Sequence, residues 1–560
     1  MQSRIMRRTA AGPADGQGKH AKIECMTFSP CVRATAVPPT SAPTSAPTSA
    51  LPRREPGRTL RLRALAARRV VPATCALAVL ALPVAARAEP PAYDRSIGTS
   101  ALASIERLRL AGGERMGLAG MSLLFDAGDG WWLGPAVYGA ASGGRGGLFV
   151  GGAEVQHRWR LGGAQVLAGL YAGGGGGAAA PVGGGLMLRP ALGWLYDFGP
   201  VQAGVALSAV RFSGGAISSR QLALQFAWDG SFRHAAAARA GTEGSDAQRS
   251  GVGVDRLVGT LTSYSLRGAG VARHRIGLVG ARLEQVRDGA PLGGQWHWGL
   301  ETAGAASGGA AGYMEILGGA GWDAPVTPGG ALRVGARAAL GLGGGGGVPT
   351  GGGVIGRLML GASLELRPGL ATGIELGRLG AADSSLRAPL AQWWLALALE
   401  PPRAADGLRH GTLERIEWTA TIQHYTDAAR RDGSVHPLDT IGLKLTRQAG
   451  EHLYGTVQAH SAYAGGAGAF SVGLVGAGVT TASRPQPWRA GAELLVGAAG
   501  GGGVASGGGA IAQGVAWAGV ALGDDLELRI GAGRVRSRHG GLSTPLVELS
   551  VSRAFAQLAP

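Results

Sequence analysis

The chain has 560 residues, of which 102 are glycine and only 6% are aromatic. Glycine at this level argues against a helical protein, because each glycine inside a helix costs about 1 kcal/mol relative to alanine. The net charge of +17 is concentrated at the N terminus, where residues 1–88 hold 14 basic and 3 acidic residues and leave 39 against 33 for the rest. A basic surface for nucleic acid is therefore not expected on the folded part.

The N-terminal part has the composition of an export region. Residues 1–60 include a low-complexity Pro/Thr/Ser/Ala run and are predicted to be a disordered extension, or to lie upstream of the true start. Residues 61–88 combine leading arginines, a short uncharged run and an Ala-Arg-Ala motif, which predicts a signal peptide cleaved between Ala88 and Glu89. The run is too short and too rich in proline for a membrane helix.

All three cysteines, Cys25, Cys31 and Cys75, precede this cleavage site. The mature chain, residues 89–560, is therefore predicted to have no thiol, which excludes disulfides and thiolate sites. The histidines lack metal-ligand spacing, so neither a metal nor a cofactor is predicted.

Beyond Glu89 the sequence repeats three times. Each unit has a glycine block followed by a glycine triplet, at 173–185, 343–353 and 500–509. A small-residue anchor precedes each block, at 142–144, 307–309 and 464–466, and a pair of hydroxyl residues follows it. The units run from 100–228, 254–400 and 412–556, with polar linkers between them. The glycine blocks are interpreted as strands and hairpins that allow close backbone approach or sharp curvature.

Alternating apolar and polar residues predict β-strands in each unit. The pattern is clear at 416–423, 221–228 and 547–552. In the first unit seven strands are predicted near 117–125, 131–140, 147–159, 164–173, 184–198, 201–212 and 219–228. One further strand leads into each unit, at 104–110, 255–266 and 414–424. Eight strands per unit give 24 in total, with a length and turn spacing typical of membrane strands.

These features together resemble the outer-membrane β-barrels of Gram-negative bacteria as a class. Tryptophans and tyrosines fall near predicted strand ends, at 131–132, 194–196 and 393–394. Leu549, Val551 and Phe555 alternate toward the C terminus in the manner of an assembly signal, although five residues follow Phe555. The resemblance implies an outer-membrane location, a lipid environment and recognition by the barrel-assembly machinery.

The favoured fold is one large antiparallel transmembrane barrel of about 24 strands. Three tandem small barrels and a soluble β-sandwich or solenoid remain as alternatives. A wide barrel favours a pore for a solute or an exported polymer. A structural or interaction barrel with a filled lumen is the alternative function, and an outer-membrane lipid hydrolase is a distant third. No catalytic residues are assigned, because His539, Ser543 and Glu548 form only a local candidate along one strand.

Overall fold

A computed structural model describes residues 91–268, 271–481 and 487–560. Its regular structure is β-strand apart from three single turns of 3-10 helix, at Ala111–Gly113, Ala237–Arg239 and Pro291–Gly293. No helix in this part of the chain is long and apolar enough to cross a membrane. The N-terminal extension and the signal peptide, with Ala88 and Glu89, lie outside the described residues.

The strands follow one another as antiparallel hairpins in three groups. The first group is β1 (Arg95–Arg109), β2 (Arg115–Gly128), β3 (Trp131–Ser142), β4 (Phe149–Leu161), β5 (Ala164–Gly176), β6 (Met187–Asp197), β7 (Gln202–Phe212) and β8 (Ser218–His234). After the short β9 (Glu243–Asp246), the second group is β10 (Arg256–Gly268), β11 (Val271–Ala290), β12 (Gly294–Ser307), β13 (Met314–Pro325), β14 (Leu332–Gly344), β15 (Val354–Arg367), β16 (Leu370–Ala381) and β17 (Arg387–Ala398). The third group is β18 (Arg409–Ala429), β19 (Val435–Gln448), β20 (Leu453–Ala464), β21 (Ser471–Thr480), β22 (Trp488–Gly500), β23 (Ala510–Ala521), β24 (Leu526–Ser537) and β25 (Ser543–Ala559).

Each group of eight strands closes on itself. In the first group Ile105 of β1 faces Leu224 of β8. In the second group β10 pairs with β17, and in the third β18 pairs with β25, where Ile422 faces Leu549. The prediction of antiparallel all-β barrel structure is confirmed, but a single 24-stranded closure is wrong. The chain forms three tandem eight-stranded barrels, because every first strand finds its own unit's last strand as its partner.

The two ends of each barrel differ in their connections. At one end the strands are joined by very short turns, such as Gly128-Asp129-Gly130, whose three residues all have positive φ. At the other end lie longer loops, including the glycine-rich connection between β5 and β6. Both polypeptide linkers between barrels and the last strand's end lie at the short-turn end, which we call the linker end. The opposite end is called the glycine end.

Every barrel has polar residues in its interior and apolar residues on its outer face. On β18 the polar residues Glu417, Thr419 and Gln423 are buried in the lumen, whereas Ile422 on the outer face is 41% exposed. On β8 the outward residues Leu222, Leu224, Phe226 and Trp228 are all exposed, and on β25 the outward residues Val547, Leu549 and Val551 are exposed as well. Large apolar side chains facing outward around a closed strand ring match a surface that sits in hydrocarbon.

The linker end ties the first and third barrels together. Strand β9 pairs with the start of β18 and extends that sheet. An aromatic cluster joins Phe125 and Phe232 of the first barrel to Trp418 and Phe555 of the third, with ring centroids 4.9–5.6 Å apart for the Phe232 contacts. Nearby, Arg95 pairs with Asp525 at 3.0 Å. These contacts hold together two barrels that close separately.

Barrel closure can be tested with engineered cysteines in the mature chain. A pair at Ile105 and Leu224, or at Ile422 and Leu549, should be joined by a short thiol-reactive crosslinker, because facing Cβ atoms lie about 4.5–5.5 Å apart. A mixed pair at Ile105 and Leu549 should not react above background. Denaturing gels report the link after cleavage at an engineered protease site placed in a loop between the two cysteines, because crosslinked fragments then migrate together. Efficient crosslinking of cysteines at Ile105 and Leu549 would contradict three separate barrels and support a single wide one.

Candidate functional site

The lumen of the first barrel is filled by a buried network of charged and polar side chains. The Arg189 guanidinium lies 2.7 Å from the Glu106 carboxylate, and both side chains are almost fully buried. Glu106 also accepts hydrogen bonds from Ser208 and Gln221. Further along, Glu154 accepts hydrogen bonds from Gln156 and Tyr138. Eight strands leave an interior just wide enough for such side chains.

The second lumen contains a larger network of the same kind. Arg337 bridges Glu284 at 2.9 Å and Glu301 at 3.4 Å. Arg357 bridges Glu301 at 2.9 Å and also contacts Glu315. Carboxylates and guanidinium groups that are shut away from water are tolerated only when they are paired and hydrogen-bonded, as they are here.

In the third lumen two carboxylate–cation clusters lie one above the other. Arg529 contacts Glu417 at 2.5 Å and Glu527 at 2.9 Å. Lys444 lies between Glu493, at 2.6 Å, and Glu548, at 3.0 Å. Sequence analysis identified the polar face of β18 but did not pair these residues, because their partners lie on strands far away in the chain.

An apolar cluster seals the glycine end of each lumen. The loop between the fifth and sixth strands inserts one valine into each barrel, and all three valines are buried: Val182, Val348 and Val504. The loop between the seventh and eighth strands adds a second buried residue to each: Ile217, Leu386 and Leu542. These residues pack with the ends of the surrounding strands into one continuous core per barrel.

In the third barrel, the network and the apolar seal leave very little space in the lumen. The lumen cavity between Glu417, Tyr454 and Arg529 in the third barrel has a volume of about 10 Å³. That volume is about the minimum that holds one water molecule. The pore prediction required the wide interior of a single large barrel, and closure of each unit removes that interior.

The three barrels meet at the glycine end through a repeated backbone contact. A Cβ atom on Gly353 would lie 2.4 Å from the carbonyl oxygen of Ala140 in the first barrel. Gly509 of the third barrel makes the same approach to Ala305 of the second, and Gly185 of the first to Ala462 of the third. Any side chain at these glycines would collide with the neighbouring backbone. The interpretation of the blocks as sites of close backbone approach is confirmed.

This contact repeats around a closed ring. In each case the end of a barrel's third strand meets the connection between the fifth and sixth strands of another barrel, so the contacts run first to second, second to third and third to first. A backbone hydrogen bond from the Gly146 amide to the Gly351 carbonyl, at 2.9 Å, joins the first and second barrels. The two sequence anchors that mark each repeat are thus the two halves of one head-to-tail interface, which closes with three copies.

Between the barrels lies a cavity of about 4170 Å³. Its wall is built from the outer faces of strands in all three barrels, with glycines at one end and the linkers at the other. The middle of the wall is apolar and carries exposed side chains that include Leu133, Val137, Leu261, Leu300, Val475 and Val496. This cavity lies outside the three lumens.

The aromatic residues form a band at the linker end. Trp131, Trp194, Tyr196 and Trp393 point outward and are about half exposed. Their neighbours Trp132 and Trp394 point inward, where each ring lies beside a buried arginine. An outward aromatic band at one edge of an apolar outer surface is typical of a membrane–water interface. The protein is an outer-membrane β-barrel protein.

Comparison with known proteins does not assign the protein to a narrower family. No protein-family model and no curated protein matches the chain. Among solved structures, Acinetobacter baumannii OccAB3 is 9% identical, with 82% of this chain and 99% of that chain covered and a TM-score of 0.20. Pseudomonas aeruginosa OpdK with vanillate is 11% identical over 82% and 98%, with a TM-score of 0.21. The siderophore receptor PirA from the same species is 9% identical over 83% and 81%, with a TM-score of 0.25. These values are too low to transfer a function or a detailed fold.

The predicted assembly signal lies on the last strand. Leu549 and Val551 are exposed on its outer face, but Phe555 is buried against Phe232. The strand extends beyond Phe555, since β25 continues to Ala559, which pairs with Thr412. The physical reason is that β18 starts early enough to supply partners for these last residues.

The three residues of the hydrolase candidate are not brought together. Glu548 points into the lumen, where it pairs with Lys444 and accepts a hydrogen bond from Gln423. Ser543 is exposed and accepts hydrogen bonds from Arg534, and His539 is exposed in the preceding loop. Within the described residues, no cluster of three or more potential metal ligands is found.

The Glu106–Arg189 pair should be essential as a pair. Arg189→Met leaves Glu106 buried and uncompensated and should destabilise the first barrel by about 3–5 kcal/mol. Adding Glu106→Gln should recover much of this loss, since no unpaired charge then remains. Urea unfolding in lipid vesicles measures both, and Arg107→Met on the exposed face of β1 is the control. Equal losses for the single and double variants would contradict a paired role.

The inter-barrel glycines should be more sensitive than other glycines with positive φ. Gly353→Ala should destabilise the protein by about 1–3 kcal/mol through overpacking, beyond the backbone strain of about 1–2 kcal/mol for a left-handed residue. Gly347→Ala is the control, since Gly347 also has positive φ but a Cβ atom added there would meet nothing within 4 Å. Spin labels on the first and second barrels should show a broader distance distribution only for Gly353→Ala. The same broadening in both variants would argue against a specific contact.

Proposed function

We propose that this protein is a non-conducting structural protein of the outer membrane, in which three filled barrels form one ring. The observation that carries this proposal is that each lumen is blocked at two levels. An ion-pair network fills its middle, and an apolar seal covers its glycine end. Paired charges and close-packed aliphatic side chains offer no water-filled path for a solute or polymer. The filled-lumen alternative is therefore favoured over transport through the barrels.

The two ends of the barrels suggest an orientation. Outer-membrane barrels have short periplasmic turns and longer extracellular loops. By this rule the glycine end faces outward, and the linker end, with both ends of the described chain, faces the periplasm. The Gly-rich loops expose few large side chains, so we assign the protein a role within the membrane rather than in binding an extracellular partner.

Export and assembly belong to the same proposal. Cleavage between Ala88 and Glu89 would release a mature chain that starts just before β1. We propose that the barrel-assembly machinery recognises β25 through Leu549, Val551 and Phe555. All three residues lie on the same face of β25, which points away from the lumen, and this supports the proposal. Phe555 also packs on Phe232, which gives its ring a second, structural role.

Conductance measurements distinguish a non-conducting structural protein from a pore. In planar bilayers the purified mature protein should give no stepwise current, and vesicles that contain it should not swell in sugar solutions. A wide porin reconstituted at the same protein-to-lipid ratio provides the positive control. Reproducible single-channel steps, or sugar uptake at the rate of the porin, would overturn the non-conducting assignment.

A further inference from the structure

The cavity between the barrels is bounded by surfaces made for lipid. Its middle wall carries the same kind of outward apolar side chains that cover the outside of the barrels, Leu300 and Val475 among them. Its volume of about 4170 Å³ is far larger than the cavity of about 10 Å³ in the third lumen. Water is disfavoured against such a wall, and the surrounding bilayer supplies hydrocarbon chains.

The linker end of the cavity adds a charged rim. Arg233, Arg367 and Arg553 line the cavity there. Among the described residues these three arginines form no ion pair. Two carboxylates at the same end already have arginine partners: Asp255 pairs with Arg249, and Glu414 pairs with Arg447. A third, Glu400, accepts hydrogen bonds from Ser250. Three more carboxylates, Asp126, Asp288 and Glu365, also line the cavity and form no ion pair among the described residues.

We propose that the cavity is a binding site for anionic glycerophospholipid, with acyl chains against the apolar wall and the phosphate at the arginine rim. The ring geometry supports this occupant, since the glycine contacts hold the barrels together at one end and leave the space between their walls at membrane depth. The three arginines without ion-pair partners offer the positive charge that the phosphate of an anionic headgroup needs at the linker end. Because this end is assigned to the periplasm, the lipid comes from the periplasmic leaflet. The site does not depend on the lumens being closed.

Three glycines allow the site to be filled without disturbing the backbone. Gly151, Gly455 and Gly473 line the cavity, and a Cβ atom added at any of them would meet nothing within 4 Å. Gly356 is the matched control, because it lies on the outer face of β15 beside Leu340 and Leu358, which do not line the cavity, and a Cβ atom added there would lie 3.6 Å from its nearest neighbours. Tryptophan at the first three positions should occupy the space that the chains use.

The test uses the whole mature protein, reconstituted with phosphatidylglycerol or with phosphatidylcholine of the same chains and then exchanged into detergent. Native mass spectrometry counts the lipids that remain bound. Wild type should retain phosphatidylglycerol in preference to phosphatidylcholine. Gly151→Trp/Gly455→Trp/Gly473→Trp should lose most of the retained lipid, whereas Gly356→Trp should behave as wild type. Heat-modifiable gel mobility confirms that each variant is folded.

The arginine rim is tested independently of the apolar wall. Arg233→Gln and Arg553→Gln should each weaken phosphatidylglycerol retention by about fivefold and leave phosphatidylcholine unchanged. Equal retention of both lipids by wild type would overturn the headgroup assignment. Retention that is unaffected by the three tryptophans in a folded protein would overturn the site itself. Neither result bears on conductance, so the two proposals can fail separately.

Discussion

The pairing of first and last strands within each eight-strand unit is the constraint on which the structure depends. In hydrocarbon an open sheet edge leaves backbone amides and carbonyls without partners, so each sheet must close. Closure at eight strands sets the interior diameter, and that diameter dictates side-chain filling in place of a water channel. The carboxylates in such an interior must then be paired with cations or hydrogen-bonded, which explains why each lumen carries its own network, such as Glu106 with Arg189.

Three closed barrels on one chain raise a second problem, which is how apolar cylinders associate in lipid. The hydrophobic effect gives them little reason to do so, because lipid chains satisfy their surfaces equally well. Close backbone approach is the available alternative, and the glycine blocks provide it. Gly185, Gly353 and Gly509 repeat one contact around the ring, so a covalent repeat performs the role that three separate subunits have in a symmetric trimer.

Because the three barrels contact one another mainly at the glycine end and the linker end, a space remains between their walls. The linkers, with Glu400 and Asp255, line one end of it and the glycines line the other. The molecule thus has two kinds of interior with opposite chemistry: three narrow polar lumens and one wide apolar cavity. Each interior follows from the same alternation along the strands, which points polar residues into the barrel and apolar residues out of it.

The sequence by itself determined the repeats, nearly all strands and their two faces, because strand alternation and glycine anchors are local patterns. Residues 416–423 show this directly, since their polar members line the lumen and the apolar ones face away from it. Only the tertiary structure decided which strands close a barrel, because Ile422 pairs equally well in principle with any neighbour of suitable register. It also decided that Arg529 meets Glu417 and that the glycine blocks of different units touch, since long-range contacts between distant strands leave no local pattern.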